Sequence, residues 1–475
     1  MLVIAGPAIL TNVANFGAGL TDAAFVGHLP LSACTLGGEP TQYLAGVGLA
    51  NTFLGFIYFF ANGLSFAMDT LVSQNYGAGN KERCSEILQT GVAVLTIAVW
   101  PVVVLHFFAA DILNAVFSLD AVTMEIIRVF SRVMIFALPG ALLYDCLAKW
   151  TSNQQCVMPS LVCSSVSLAF NAFMNWLLIY PCGLGFIGSP IATVLTRTVL
   201  PLLLLLWLKV RGHWKQMFLG FSKRAVSWQY IKAYVLCGMP AGGMILAEVG
   251  GFTGMTMMVA WLHSDVVMAA QVCSFQFLFI LYFVPMGLSI ATSARVGFLV
   301  GAGDPHSASL AAWTAQAFAM ILSVVAAIVI IAGRTVLPYA FTSDDAVARL
   351  TGKLFFFVGA VHIGDAYQAV GLAVVRGIGR QNIGFALNMT AYYAVGLPLG
   401  AALAFGVPIG VFGVWTGMSS ALSALASLVF LHNWTIDWQK EVDNAAAKTG
   451  RRPEAQIRGE DDGAAADGVP DVLAV

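Results

Sequence analysis

Charge is what this sequence has least of. Charged residues make up 10% of its 475 positions, against roughly a quarter in soluble globular domains. That scarcity excludes a chain solvated over its whole surface. Other features are missing as well. The eight cysteines (34, 84, 146, 156, 163, 182, 237 and 273) are scattered, mostly in or beside apolar stretches. They form no CxxC or His/Cys spacing of metal type and read as small packing residues. No G-x-x-x-x-G-K-[ST] loop occurs, since Gly352-Lys353 lacks a glycine five residues before Gly352, which argues against ATP as an energy source. No basic stretch precedes the first apolar run, so that run reads as a span rather than a cleaved leader.

What is present is long apolar sequence. Hydrophobic residues are 59% of the chain and mean hydropathy is +0.82. A helix crossing a bilayer needs about 20 mostly apolar residues. Twelve windows fit, numbered here as spans 1 to 12: Met1–Val26, Leu44–Met68, Ile87–Ala110, Arg132–Lys149, Cys156–Pro181, Leu184–Leu208, Ala233–Leu262, Val266–Ala294, Ala308–Gly333, Leu354–Val375, Ile383–Gly406 and Val407–Leu431. The runs are continuous rather than alternating, which indicates helices and not a β-barrel. The lipid bilayer is therefore one partner.

Seventeen of the twenty-three basic residues fall on one side of these spans. They include Lys209, Arg211, Lys215, Lys223, Arg224 and Lys232 between spans 6 and 7, and five more in the C-terminal tail. The positive-inside rule puts that side, with both termini, in the cytoplasm. From Asp437 onward the chain carries nine acids and five bases with few aromatics, a composition that reads as a disordered tail.

The loop between spans 6 and 7 divides the chain into halves that resemble each other. Tyr76-Gly77-Ala78-Gly79-Asn80 after span 2 matches Val300-Gly301-Ala302-Gly303-Asp304 after span 8. Gly185-Phe-Ile-Gly188 matches Gly410-Val-Phe-Gly413, and Pro7 matches Pro240. Anchored on those prolines, Glu248 lies opposite neutral Asn15. A repeated six-helix half of constant orientation is a transporter signature. The expected fold is all-α: a polytopic membrane protein of about twelve spans in two pseudo-symmetric six-helix bundles. The expected organisation is an N-terminal lobe over 1–210, an inter-lobe loop over 211–230, a C-terminal lobe over 231–432 and a disordered tail over 433–475.

Acids inside spans are the candidate functional groups, because an ionised acid at the centre of a spanning helix costs about 2.5–3.5 kcal/mol. A buried acid escapes that cost by holding a proton or a cation. Glu248 sits midway along span 7, with Gly250, Gly251 and Gly254 beside it. Asp365 sits mid-span in span 10, with His362 three residues back. Asp22 lies toward the outer end of span 1. Asp145 and Lys149, at i and i+4, read as a structural ion pair. Asp69 reads as part of a helix-end network, and Arg197, inside span 6, needs a partner that the sequence does not name. The phenylalanine-rich runs 56–60 and 355–357 read as lipid-facing.

Several motifs together resemble the multidrug and toxic compound extrusion (MATE) family, and its eukaryotic branch most. They are GLTDAAFVGHL (19–29), AMDTLVSQNYGAGN (67–80), NAFMN (171–175), LGFIGSPIAT (184–193), GMPAGGMILAE (238–248), VPMGLSIATSARVG (284–297) and VVRGIGRQNIGFALNMTAYYAVGLPLG (374–400). The resemblance covers nearly all of residues 1 to 432. It implies a secondary antiporter, not an enzyme, that exports organic, often cationic, compounds in exchange for H+ or Na+. The family's functional positions fall on Asp22, Asn171, Asn175, Thr193, Glu248 and Asp365. Two departures stand out, because the further glutamates common in eukaryotic members are Thr253 and Gln276 here. With His362 these are secondary candidates. The resemblance also leads us to expect a monomer without cofactor or nucleic-acid partner, in a plasma, vacuolar or other organelle membrane. The alternative is a lipid-linked oligosaccharide flippase of related architecture, whose cavity would be more basic.

Overall fold

The structure, a computed structural model, describes residues 2–407 and 409–450. Among them twelve helices are long and apolar enough to cross a membrane: Val3–Gly27, Pro40–Gly77, Lys81–Phe107, Ala121–Asn153, Met158–Ile179, Gly185–Val210, Trp228–Ala260, Asp265–Gly301, Pro305–Ala332, Asp345–Ile378, Gln381–Gly406 and Val411–Trp434. These are spans 1 to 12 as expected, several of them longer than the charge-free windows. A backbone in hydrocarbon must satisfy its own hydrogen bonds, which leaves the helix as the solution for continuous apolar sequence. Phe56, Phe59 and Phe60 lie on the outside of the bundle, each roughly half exposed.

Spans 1–6 and 7–12 form two lobes, and the repeated motifs build the same turns in each. Gly79 and Gly303 both have φ of +78°, a conformation that favours glycine. The next residue then caps the following helix. Asn80 accepts from the Arg83 amide at 3.1 Å, and Asp304 accepts from the Ser307 amide at 2.9 Å. At the starts of spans 6 and 12, Gly185 and Gly410 also have positive φ, +55° and +62°.

The repeated glycines before those turns join the lobes. A Cβ on Gly77 would lie 2.8 Å from the carbonyl carbon of Phe298, and one on Gly301 would lie 2.7 Å from that of Gln74. Only glycine lets backbone meet backbone at this distance. Spans 2 and 8 therefore cross tightly at the end of the bundle that carries most of the basic residues, called the basic end below.

Two expectations change. The tail is not disordered from residue 433. Trp438–Thr449 is a helix, capped by Asp437, whose side chain accepts from the Lys440 amide at 3.1 Å. Its Val442 and Ala445 are buried against the C-terminal lobe and Glu441 pairs with Arg380. The periodicity of Trp438, Val442 and Ala445 supplies an apolar stripe that average composition conceals. Residues 451–475 of the expected tail lie outside the described residues. The inter-lobe loop, in turn, contains a short helix, His213–Met217.

Candidate functional site

Three polar clusters interrupt the apolar interior. The first is in the C-terminal lobe. Glu248 and Asp365 lie within electrostatic reach of each other, from spans 7 and 10. Asp365 is 2% exposed and accepts from the Gln368 amide at 3.0 Å. The Tyr282 phenol of span 8 and the same Gln368 face the Glu248 carboxyl, and Tyr392 of span 11 stands near both acids. Asp365 is buried and Glu248 half-buried, and two carboxyl groups so placed cannot both carry charge cheaply. A pair of this kind can take up a proton or a cation.

The glycines beside Glu248 make room for span 11. A Cβ on Gly251 would meet the Tyr392 ring carbon Cγ at 2.8 Å, and one on Gly254 would meet a methyl of Leu397 at 3.0 Å. Opposite them span 11 leaves the α-helix, with wider π turns at Thr390–Gly396 and Ala402–Gly406, a distortion often found at functional sites.

The second cluster is in the N-terminal lobe. Asp22 Oδ1 accepts from the Asn171 and Asn175 amides at 3.1 and 2.8 Å, and Oδ2 accepts from the Thr193 hydroxyl at 2.8 Å. The four residues come from spans 1, 5 and 6. Both asparagines are fully buried, and among the described residues neither amide oxygen has a hydrogen-bond partner. These oxygens beside a carboxylate form the type of donor set that hard cations take. Asn15, the repeat counterpart of Glu248, faces the Tyr144 phenol instead.

The third cluster joins the lobes at the basic end. Asp69 of span 2 lies 3.4 Å from the Lys149 ammonium of its own lobe and 3.3 Å from the Arg376 guanidinium of the other. The Asn153 amide also donates to it, at 3.1 Å. Gln74 donates to the Gly377 carbonyl at 2.9 Å, and the Thr70 hydroxyl donates to the Arg376 carbonyl. Arg376 in turn donates to the Ser289 hydroxyl at 2.7 Å. Asp69 is thus a helix-end network residue, and the network crosses between lobes.

The structure thus brings together Glu248 with Asp365, and Asp22 with Asn171, Asn175 and Thr193. It does not bring in the secondary candidates. His362 is buried, but it lines an apolar groove between spans 8, 9 and 10 with Ile280, Pro285 and Ala366. Three residues along a helix set side chains about 60° apart, and here His362 lines the groove while Asp365 is engaged by Gln368. Thr253 is exposed and bonds back to the Val249 carbonyl at 2.8 Å. Gln276 is also exposed, and neither is hydrogen-bonded to either acid. The Asp145–Lys149 pair does not form. Lys149 is taken by Asp69, and Asp145 accepts from the Tyr58 hydroxyl. Sequence reasoning missed Tyr282, Gln368 and Arg376. Only Gln368, one helical turn from Asp365, carried a local signal.

Comparisons with known proteins agree with this fold. The MatE family profile matches residues 7–177 and 240–402, and the chain belongs to the MATE family. Multidrug and toxin extrusion protein 1 of Homo sapiens is 30% identical over 455 residues, covering 94% of this chain and 76% of that one. The protein of the same name from Danio rerio is 27% identical over 456 residues, covering 95% and 74%. A crystal structure of the eukaryotic MATE transporter AtDTX14 superposes with a TM-score of 0.86 at 25% identity, covering 94% of this chain and 98% of that one.

Proposed function

We propose that this protein is a secondary antiporter that exports organic cations in exchange for H+ or Na+ by alternating access. The observation that carries this reading is the Glu248–Asp365 pair, a half-buried and a buried carboxyl within electrostatic reach of each other, for which double ionisation is costly unless a proton or a cation is taken up. The names of the relatives, multidrug and toxin extrusion proteins, support it. With the basic end in the cytoplasm, the Asp69 network closes the inner side of the cleft. An apolar cavity of about 450 Å³ lies between spans 2, 7 and 11, lined by Phe60, Leu64, Pro240, Leu246 and Phe385 among others. It offers room for the hydrophobic body of a lipophilic cation.

In this mechanism substrate enters from the cytoplasm and its positive charge pairs with the acids. A coupling ion from the other side then takes the acids and releases it. One pH unit supplies about 1.36 kcal/mol per proton, and membrane potential about 2.3 kcal/mol per charge per 100 mV. Together these sustain roughly tenfold to several-hundred-fold gradients. The acidity of both intramembrane clusters weighs against a flippase for lipid-linked oligosaccharides, which would call for a basic cavity.

The test is efflux of a fluorescent organic cation from proteoliposomes under imposed pH or Na+ gradients. Transport should require one of the gradients and should be lost in Glu248→Gln and Asp365→Asn. Equal transport by Glu248→Gln and wild type under both gradients would sink the coupling assignment.

A further inference from the structure

Arg197 and Asp145 have no part in the mechanism so far, yet both are charged groups within spans. Arg197 lies on span 6, one helical turn beyond Thr193, the residue that donates to Asp22. Among the described residues its side chain makes no hydrogen bond and no ion pair. An intramembrane guanidinium in that condition is costly and calls for an explanation.

The register of spans 4 and 6 supplies one. The two helices run in the same direction and touch at Gly140. A Cβ there would lie 2.8 Å from the Arg197 carbonyl carbon and 3.0 Å from the Thr198 Cα. Asp145 is five residues further along span 4. At 1.5 Å of rise per residue, Asp145 is about 7–8 Å along the axis on one side of Arg197, and Thr193 with its partner Asp22 is about 6 Å along on the other. The charge of Arg197 reaches Asp22, Tyr58 and Asp145, at Asp22 more weakly than the hydrogen bonds that hold it. Asp145 is held by the Tyr58 hydroxyl and makes no ion pair. Its other cationic neighbour, Lys149, is engaged on Asp69 and lies 3.3 Å from the centre of the Phe66 ring.

We propose that Arg197 is a tethered cation shared between Asp22 and Asp145, and that Asp145, acting through it, sets the affinity of the Asp22 cluster for cations. One guanidinium cannot compensate two carboxylates. While Asp145 holds part of its field, Asp22 keeps negative potential for an incoming cation. If Asp145 were neutral, Arg197 would turn wholly to Asp22 and repel the ligand. Asp145 is a positioning residue in this scheme and touches no ligand. The scheme rests on the reading of the protein as a carrier of organic cations that engages Asp22.

Two substitutions should act with opposite sign, which a merely structural role would not produce. The probe is a fluorescent quaternary ammonium, whose charge does not vary with pH, and the readout is KM and kcat in proteoliposomes. Arg197→Gln should lower KM, and Asp145→Asn should raise it, each by roughly tenfold for charges at this separation. Arg197→Lys should stay near wild type. In the Arg197→Gln background, Asp145→Asn should lose most of its effect. The inference is overturned if both substitutions move KM the same way, if KM does not move, or if Asp145→Asn acts fully without Arg197. Should Arg197→Gln not fold, Asp145→Asn alone decides, and an unchanged KM refutes. If wild type does not carry the probe under either gradient, the cation-carrier reading itself falls and takes this scheme with it.

Discussion

Replacing Asp69 with asparagine removes the anion that two cations from opposite lobes share. The side chains of Asp69, Arg376 and Lys149 are 9%, 11% and 17% exposed. Removing one partner of a fully buried ion pair costs about 3–5 kcal/mol. Partial exposure, and the Asn153 amide that an asparagine could still engage, bring the loss here to about 2–3 kcal/mol. That loss falls on the state in which the basic end is closed, because Arg376 contributes only across the lobe interface. It should shift the balance between closed and open forms by roughly 30- to 150-fold. The assay uses Ser73→Cys, with Cys34, Cys156, Cys182 and Cys237 replaced by serine. Ser73 is fully buried and packs against Gly297 of the other lobe. Modification by a membrane-impermeant maleimide reports opening of the basic end. The reaction should be slow with Asp69 present and at least tenfold faster in Asp69→Asn. Equal rates, in protein of unchanged fold and melting behaviour, would refute the idea that this ion pair latches the lobes.

Other parts of the architecture give further expectations. Gly301→Val should be more harmful than a buried glycine substitution elsewhere, because its Cβ would collide with the Gln74 backbone; loss of 1–3 kcal/mol or more would appear as a lower melting temperature and poor folded yield. Asp304→Ala removes a helix cap and should cost about 0.5–2 kcal/mol. The bonds from Ser307 hold the Asp304 carboxyl below its usual 3.8, so this cap stabilises above pH 4 and is lost as pH falls through the lowered value; melting curves of wild type and variant should converge there. Glu441→Gln breaks the pair with Arg380 and should speed proteolysis between residues 435 and 450 without abolishing transport.

The spans and both acid clusters were legible because a carboxyl group in apolar sequence is itself a signal. Glu248, Asp365 and Asp22 could be found without neighbours. The groups on Asp22 came from the family resemblance, but those around Glu248 could not be read: Tyr282 is an ordinary aromatic in an aromatic-rich span, and nothing local marks it as facing Glu248. The rule that an acid and a lysine four residues apart will pair failed at Asp145 for a different reason. Lys149 had a competing partner, Asp69, eighty residues away, and Asp145 found the Tyr58 hydroxyl. His362 failed because three residues on a helix bring side chains near the same side but not onto one face. The repeat was legible in three short matches, but its purpose was not. Gly77 and Gly301 stood only as matched positions, whereas they are the points at which the two lobes touch backbone to backbone.

The central claim is obligatory exchange through Glu248 and Asp365. The direct measurement is coupling-ion movement on its own: proteoliposomes carrying an internal pH or Na+ indicator, with no imposed ion gradient, receive a pulse of organic cation. The account predicts that substrate moving one way drives H+ or Na+ the other way in wild type, and that Glu248→Gln and Asp365→Asn abolish this counterflow. Substrate movement in wild type with no counterflow of either ion, or full counterflow in Glu248→Gln, would contradict it.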